Sequence, residues 1–435
     1  MHDSFILLFS VVILALIFDF INGFHDTANS IATVVSTRVL RPSTAVIMAA
    51  VLNLAGAFVG IEVAKTIGVG IVELSSINQV TVISALLSGI IWNLITWYYG
   101  IPSSSSHAII GGLCGSSFAF GGMQAIKFQG IWQKIFIPML SSPIIGITLG
   151  FVVMSILYNI VSKIKPSKIN RSFSKLQIIS AAFMSMSHGQ NDAQKTMGII
   201  TLALISYNVF SIGNITDKLE SSVTSTSNNV YVKKTDKKQE ILAFVNEGGF
   251  IIHEKDGSYK AYKSKLKEGA SKKSSKSLDF ELTEVKNLES STVHQIHKTI
   301  SNNKELQIGQ EYKLEFSVPF WVVFSCALAM GLGTLSGGWK IIHTMGSKMV
   351  KLRPIHGFAA ETSAAIMIQA ASYLGMPVST THIISTSIMG VGAAKRVNAV
   401  KWGVVKSIVL AWIFTFPASF GLGYFAYVFL GLFFS

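Results

Sequence analysis

The sequence predicts an all-α polytopic membrane protein: two inverted repeats with discontinuous helices and paired Pro-Ser hairpin segments, plus a small inserted soluble domain. Three observations carry this prediction. Half of the 435 residues are hydrophobic and only 13% are charged, too apolar a balance for an ordinary water-soluble domain. A polar motif interrupts apolar runs twice, Gly23, His25, Asp26, Asn29 and Ser30 aligning with Gly189, Asn191, Asp192, Lys195 and Thr196. A proline-hydroxyl motif is also doubled, IPSSSSH from Ile101 and MPVSTTH from Met376, with Pro102 matching Pro377 and His107 matching His382. Asp26 and Asp192 are 166 positions apart and the two prolines 275, a difference of 109. A hydrophilic stretch of about that length separates the two second-half motifs, so one duplicated unit with one insertion explains both spacings.

Taken in order, the apolar segment 5–21 joins the polar run 22–38 as one long span broken at Gly23. It carries no Lys or Arg before Phe5, which sets it apart from a cleaved leader. Segments 43–64, 80–99 and 134–161 are each long enough to cross a hydrocarbon core of about 30 Å. After the basic loop Lys163 to Lys175 the pattern restarts with a broken span at 176–207, then 318–337, 355–374 and 402–432. The predicted domains are therefore 1–161 (first transmembrane repeat), 162–175 (cytoplasmic linker), 176–211 (start of the second repeat), 212–316 (insert) and 317–435 (remainder of the second repeat). Within the insert, FIIHEKDGSYKAY reads as a hairpin turning at Asp256-Gly257, and Phe280 to Ile300 as a polar helical stretch. His253-Glu254 begins like a zinc-protease motif, but Gly257 stands where the second histidine belongs. Cys114 and Cys326 read as packing residues, and neither a metal cluster nor a cofactor is predicted.

The net charge of +14 invites a nucleic-acid reading until it is divided by region. The stretch 212–316 holds 17 of the 36 bases and 15 of the 22 acids, leaving 19 bases against 7 acids in the apolar remainder. With the N-terminus outside, 15 of those 19 bases fall in cytoplasmic loops, the positive-inside signature, and nucleic acid is excluded as the partner. Five crossings per half make the second half inverted and put the insert outside.

Asp26 and Asp192 are two of the seven carboxylates outside the insert. An ionisable group at membrane depth costs about 2.5–3.5 kcal/mol, so such residues mark ion or substrate pathways. In each copy the next polar residue is three positions on, Asn29 or Lys195, on the same helical face. Each aspartate could instead simply cap a half-helix after the glycine, but duplication in an inverted frame favours a shared site. Ser103, Ser104, Ser105 and Ser106 and their counterparts Ser379, Thr380 and Thr381 precede helix-forming runs, where hydroxyls, free N–H groups and the positive dipole end suit an oxyanion. Ordinary capping is the alternative. His107 and His382 read as loop-orienting, and Glu361, with Leu86 in its first-half register, as a proton carrier or a carboxylate paired with a neighbour.

GFHDTANSIATVVSTR, SHGQNDAQKTMG, IPSSSSH, MPVSTTH and IHGFAAETSAA together resemble the inorganic phosphate transporters of the Pit type, over nearly all of the chain except the insert. The resemblance implies a symporter importing inorganic phosphate, free or as a divalent-metal complex, across the cell (inner) membrane as a homodimer in the lipid bilayer. It implies that Asp26, Asn29 and Asp192, with His25, Lys195 and Glu361 beside them, serve the coupling cation. The hydroxyl tracts, with Asn191, would bind phosphate. His25 and Lys195 stand where sodium-coupled members carry asparagine, which favours H+ as the coupling ion over Na+. An anion channel, a membrane hydrolase using Ser106 and His107, and a receptor reading its ligand through the insert are the competing functions. Neighbours on a helix do not face each other, and no Gly-x-Ser-x-Gly is present, which weighs against the hydrolase.

Overall fold

The computed structural model describes residues 2–73, 77–216 and 317–434, together with five strands between 229 and 288. Helix α1 (His2–Ser36) opens the chain, followed by α2 (Pro42–Gly56), α3 (Glu62–Val69), α4 (Gln79–Tyr98) and α5 (Ser105–Gly121). A short α6 (Phe128–Ile131) leads through a π-helical turn into α7 (Ile137–Val161), and α8 runs from Pro166 to Thr216. The second part holds α9 (Phe320–Ser336), α10 (Trp339–His343), α11 (Pro354–Tyr373), α12 (Thr380–Lys395) and α13 (Trp402–Phe434). Among the described residues, α1, α4, Phe128–Val161 and α13 are long and apolar enough to cross a membrane, and α9 with Trp339–Lys348, bent by 62°, is apolar enough to form a broken span or a re-entrant loop. The protein is a multi-pass membrane protein.

Contacts group Met1–Tyr207 with Ser317–Ser435 in one compact unit and Asn208–Phe316 in another. The second unit is an antiparallel meander: β1 (Asn229–Lys234), β2 (Glu240–Val245), β3 (Gly249–His253), β4 (Tyr259–Leu266) and β5 (Phe280–Leu288). The expected hairpin is present, Phe250 pairing with Tyr262 and His253 with Tyr259, while its turn lies outside the described residues. The helical reading of Phe280 to Ile300 is corrected, because Phe280–Leu288 is strand β5. Leu282, Val285 and Leu288 imitate a helical period, but a bulge opposite Ala261/Tyr262 absorbs that phase change along β4. Positions 289–300 lie outside the described residues.

A second correction concerns the breaks. Neither α1 nor α8 is interrupted at its glycine. Gly23 instead lets α9 close on α1, where any Cβ would strike the Met330 carbonyl oxygen and the Gly333 Cα, and Gly189 does the same against Asn53 of α2. Discontinuity falls elsewhere. The 43–64 segment divides between α2 and α3, and the bend after α9 turns on Gly337, whose φ of +67° is left-handed. The two hairpins share one entry: two residues past the last residue of α4 and of α11 stand Gly100 and Gly375, each with φ +64°, before Pro102 and Pro377. From there each hairpin helix packs on a helix of the other half. Gly111 and Gly115 of α5 meet the Phe416 and Phe420 carbonyls of α13, while Gly146 and Gly150 of α7 meet α12 at Thr386 and Ser387. This crossed packing brings the starts of α5 and α12 to the middle of α1.

Candidate functional site

The polar motif of α1 occupies that meeting point. Asp26 is buried, and its Oδ2 accepts from Ser105 Oγ at 2.8 Å. Its Oδ1 lies 2.8 Å from His25 Nδ1 and 3.4 Å from Thr381 Oγ1, so both hairpins reach the one carboxylate. His25 Nε2 stands 3.1 Å from Thr96 Oγ1, which also accepts from Ser103 Oγ at 2.8 Å. Asn29 does not turn to Asp26: its Nδ2 donates to Thr380 Oγ1 at 3.1 Å and Thr381 Oγ1 at 2.9 Å. Ser104 and Ser379 act as caps, their oxygens accepting from the His107 and His382 amides at 3.2 Å. Ser106 donates to the Val378 carbonyl at 3.0 Å, not to His107, so the hydrolase dyad is not assembled. The His107 and His382 rings meet edge to face, centroids 4.9 Å apart, where the hairpins touch.

The second copy of the motif lies in α8. Asp192 is wholly buried, and its Oδ1 accepts from Lys195 Nζ at 2.6 Å, the lysine being wholly buried too. His188 Nε2 is 3.4 Å and Asn22 Nδ2 3.5 Å from Asp192 Oδ2. Asn191 turns away, donating to Ser372 Oγ at 2.9 Å and the Met376 carbonyl at 3.3 Å, which pins the entrance of the second hairpin. Although 166 positions apart, Asp26 and Asp192 converge: with His188 they offer ligand atoms all within 4.8 Å of one another. Two oxygens and an imidazole nitrogen at that spacing can hold a cation, or divide a proton, beside an anion.

Glu361 of α11 completes the polar line of α1. Oε1 accepts from Thr33 Oγ1 and from Gln177 Nε2 at 3.1 Å, Oε2 accepts from Ser180 Oγ, and Gln177 Oε1 accepts from Thr37 Oγ1 at 2.9 Å. Glu361 is thus hydrogen-bonded to hydroxyls and an amide of neighbouring helices, a geometry open to either sequence reading. Asn29, Thr33 and Thr37 stand four residues apart, so one face of α1 carries a continuous polar ladder from Asp26 toward the C-terminal end. Sequence reasoning passed over Asn22, His188, Thr33 and Thr96. The signal existed in the four-residue spacing, Asn22 before Asp26 and His188 before Asp192. A helix broken at Gly23 or Gly189 would carry no such periodicity across the break, whereas the continuous α1 and α8 do.

Comparison with known proteins gives the family. The chain is 39% identical to a "probable low-affinity inorganic phosphate transporter" of Bacillus subtilis (strain 168), covering 99% of this chain and 98% of the relative. It is 39% identical to one of the same description from Rhizobium meliloti (strain 1021), over 96% and 94%. The low-affinity inorganic phosphate transporter of Escherichia coli (strain K12) is 29% identical over 96% and 95%. A solved structure described as the sodium-dependent phosphate transporter superposes with a TM-score of 0.67 over 98% of this chain and 99% of its own, at 20% identity, a likeness of fold. The model of the phosphate transporter family matches residues 22–423, the whole span from the polar face of α1 to the helix packed on α5, and the chain belongs to that family.

Proposed function

We propose that the protein is a secondary active symporter that imports inorganic phosphate, driven by a proton gradient. The observation that carries this reading is the convergence of Asp26, Asp192 and His188 beside the first turns of α5 and α12. Phosphate oxygens would take the hydroxyls of Ser105, Thr380 and Thr381 and the unpaired N–H groups of the two helix starts. Ser103, Ser104, Ser106, Ser379 and Asn191 hold those segments in place. A protonated phosphate would donate to Asp26, and His25, engaged by Asp26 on one ring nitrogen and Thr96 on the other, can pass a proton along the same line. Lys195 supplies Asp192 with a fixed positive charge in the place where Na+ would otherwise bind. Glu361 of α11, which meets α1 at Thr33, would be the carboxylate on the cytoplasmic side.

In this reading the halves are inverted repeats, the termini and the insert are external, and two chains assemble as a homodimer in the inner membrane. A divalent-metal phosphate cargo would place its metal at Asp26, His188 and Asp192. One observation favours sodium instead. Asn29 Oδ1 is buried without a hydrogen-bond partner among the described residues, a neutral oxygen of the kind that ligates Na+. Radiolabelled phosphate uptake into proteoliposomes, with sodium and proton gradients imposed separately and Mg2+ present or absent, decides between them. Uptake that persists without sodium and collapses with a protonophore is expected. Uptake that requires sodium and ignores the protonophore replaces this reading with the sodium one.

A further inference from the structure

One buried carboxylate has no part in the site described so far. Asp19 lies on α1 seven residues before Asp26 and three before Asn22, on the face that meets α8. It is wholly buried. Its Oδ1 accepts from Thr196 Oγ1 at 2.9 Å, and Thr196 directly follows Lys195. Oδ2 has no hydrogen-bond partner among the described residues. The ionisable groups that act on it are Asp192 and Lys195 from α8 and the Cys326 thiol from α9.

An ionised carboxylate with one oxygen buried and undonated is costly enough that such groups take up a proton instead. The charge of the cluster points the same way. Among the described residues, Asp19, Asp26 and Asp192 face a single buried ammonium, Lys195, before any phosphate enters with negative charge of its own. The His25 and His188 imidazoles and Asp26 belong to the central site. Asp19 stands one helical turn beyond Asn22, on the N-terminal side, with an oxygen open to receive one.

We propose that Asp19 is a separate proton-binding site, on the N-terminal side of the Asp26–Asp192 pair, that carries one coupling proton in addition to those of the central site. It rests on the proton-driven reading above. Asn22 separates it from the pair: its Nδ2 reaches toward Asp192 Oδ2, and its Oδ1, like Asp19 Oδ2, is buried without a partner among the described residues. A proton entering from the N-terminal side of α1 therefore meets Asp19 before it meets Asp192.

The test is the proton-to-phosphate ratio of the full-length protein in proteoliposomes, read from the limiting phosphate accumulation against an imposed pH gradient. Each coupled proton multiplies that limit by about ten per pH unit, so Asp19→Asn is expected to lower it about tenfold at a one-unit gradient, with Asp19→Glu restoring it. The ratio does not depend on rate, so a purely structural role for Asp19 slows uptake and leaves the wild-type ratio, which overturns the proposal. Infrared difference spectra between acid and alkaline samples give a second readout. A protonated-carboxyl band present in wild type and lost in Asp19→Asn supports the site, and an unchanged band removes it even where the variant transports poorly. Wild-type uptake that requires sodium overturns the proton-driven reading, and the infrared band then reports on Asp19 independently.

Discussion

The two copies of the repeated motif use the same carboxylate in opposite ways. Asp26 is held by an imidazole and two hydroxyls, donors that are neutral or able to become so. Asp192 is held by an ammonium at 2.6 Å, with both partners removed from solvent. The difference comes down to one repeat position. Asn29 leaves its aspartate and bonds the second hairpin, while Lys195 turns back onto its own. On the proposed reading the repeated motif offers two equivalent places for positive charge beside the anion, and the lysine fills one of them permanently. The other would be filled by a coupling ion that arrives and leaves.

The largest expected effect breaks the comparison on its stronger side. Asp26→Asn and Asp192→Asn are each expected to abolish coupled phosphate uptake, but only the second strands a buried ammonium. Breaking one partner of a buried ion pair costs about 3–5 kcal/mol, so Asp192→Asn should be markedly less stable in detergent than Asp26→Asn. Adding Lys195→Asn to Asp192→Asn should recover stability without recovering uptake. Equal unfolding temperatures for the two single variants would remove the asymmetry argued from the pair.

Lys195→Asn alone makes the second copy resemble the first and sharpens the comparison. Asp192 then lacks a fixed counter-charge, and proton-driven uptake should fall about tenfold, a change of about 1.4 kcal/mol in the driving interaction. Sodium added to the same vesicles should restore part of it. A variant indifferent to sodium, with wild-type proton-driven uptake, shows that Lys195 is not the built-in cation.

The contrast also explains what was legible in the sequence. The doubled motifs, the insertion between them and the apolar spans are properties of local composition and spacing, and the family and helical fold follow from them. The role of a glycine is not local. Gly23 and Gly189 stand next to polar residues, where a break is the ordinary explanation, yet both serve the close approach of another helix that only the assembled fold supplies. The same holds for the hydroxyls. Ser104 and Ser105 are indistinguishable in a run of four serines, and one caps α5 while the other reaches Asp26. Which serine does which depends on the turn at which the helix begins, and on α1 lying across it. Asp192 meeting Asp26 depends on packing between helices far apart in the chain, visible in the sequence only as a repeat.

The hydroxyls that touch the α1 motif give a smaller effect. Ser105→Ala and Thr381→Ala each remove a hydrogen bond worth about 1 kcal/mol net, so the KM for phosphate should rise about fivefold in either, with the proton-to-phosphate ratio unchanged. Because Thr381 also accepts from Asn29, its loss should add some slackness between α1 and α12. Unchanged KM values in both variants would mean that these hydroxyls tie helices together and do not touch phosphate.

The smallest effect belongs to the two caps, where the halves should behave alike. Ser104 and Ser379 hold the same place before α5 and α12, and each accepts from the amide three residues on at 3.2 Å. Neither oxygen is directed at Asp26 or Asn29, which are served by the next residues in each tract. Replacing an N-cap serine by alanine costs about 1 kcal/mol of stability. Ser104→Ala and Ser379→Ala should therefore lower stability by similar amounts, measured by unfolding in detergent, and leave the phosphate KM near that of wild type. The free N–H left at each helix start remains available to an anion, which limits the loss further when phosphate is present, and added phosphate should narrow the gap from wild type. A KM that rises in one cap variant as much as in Ser105→Ala would show that the capping oxygen also meets the substrate. A rise confined to one half would show that phosphate leans on a single hairpin, and the asymmetry seen at Lys195 would then extend to the anion as well.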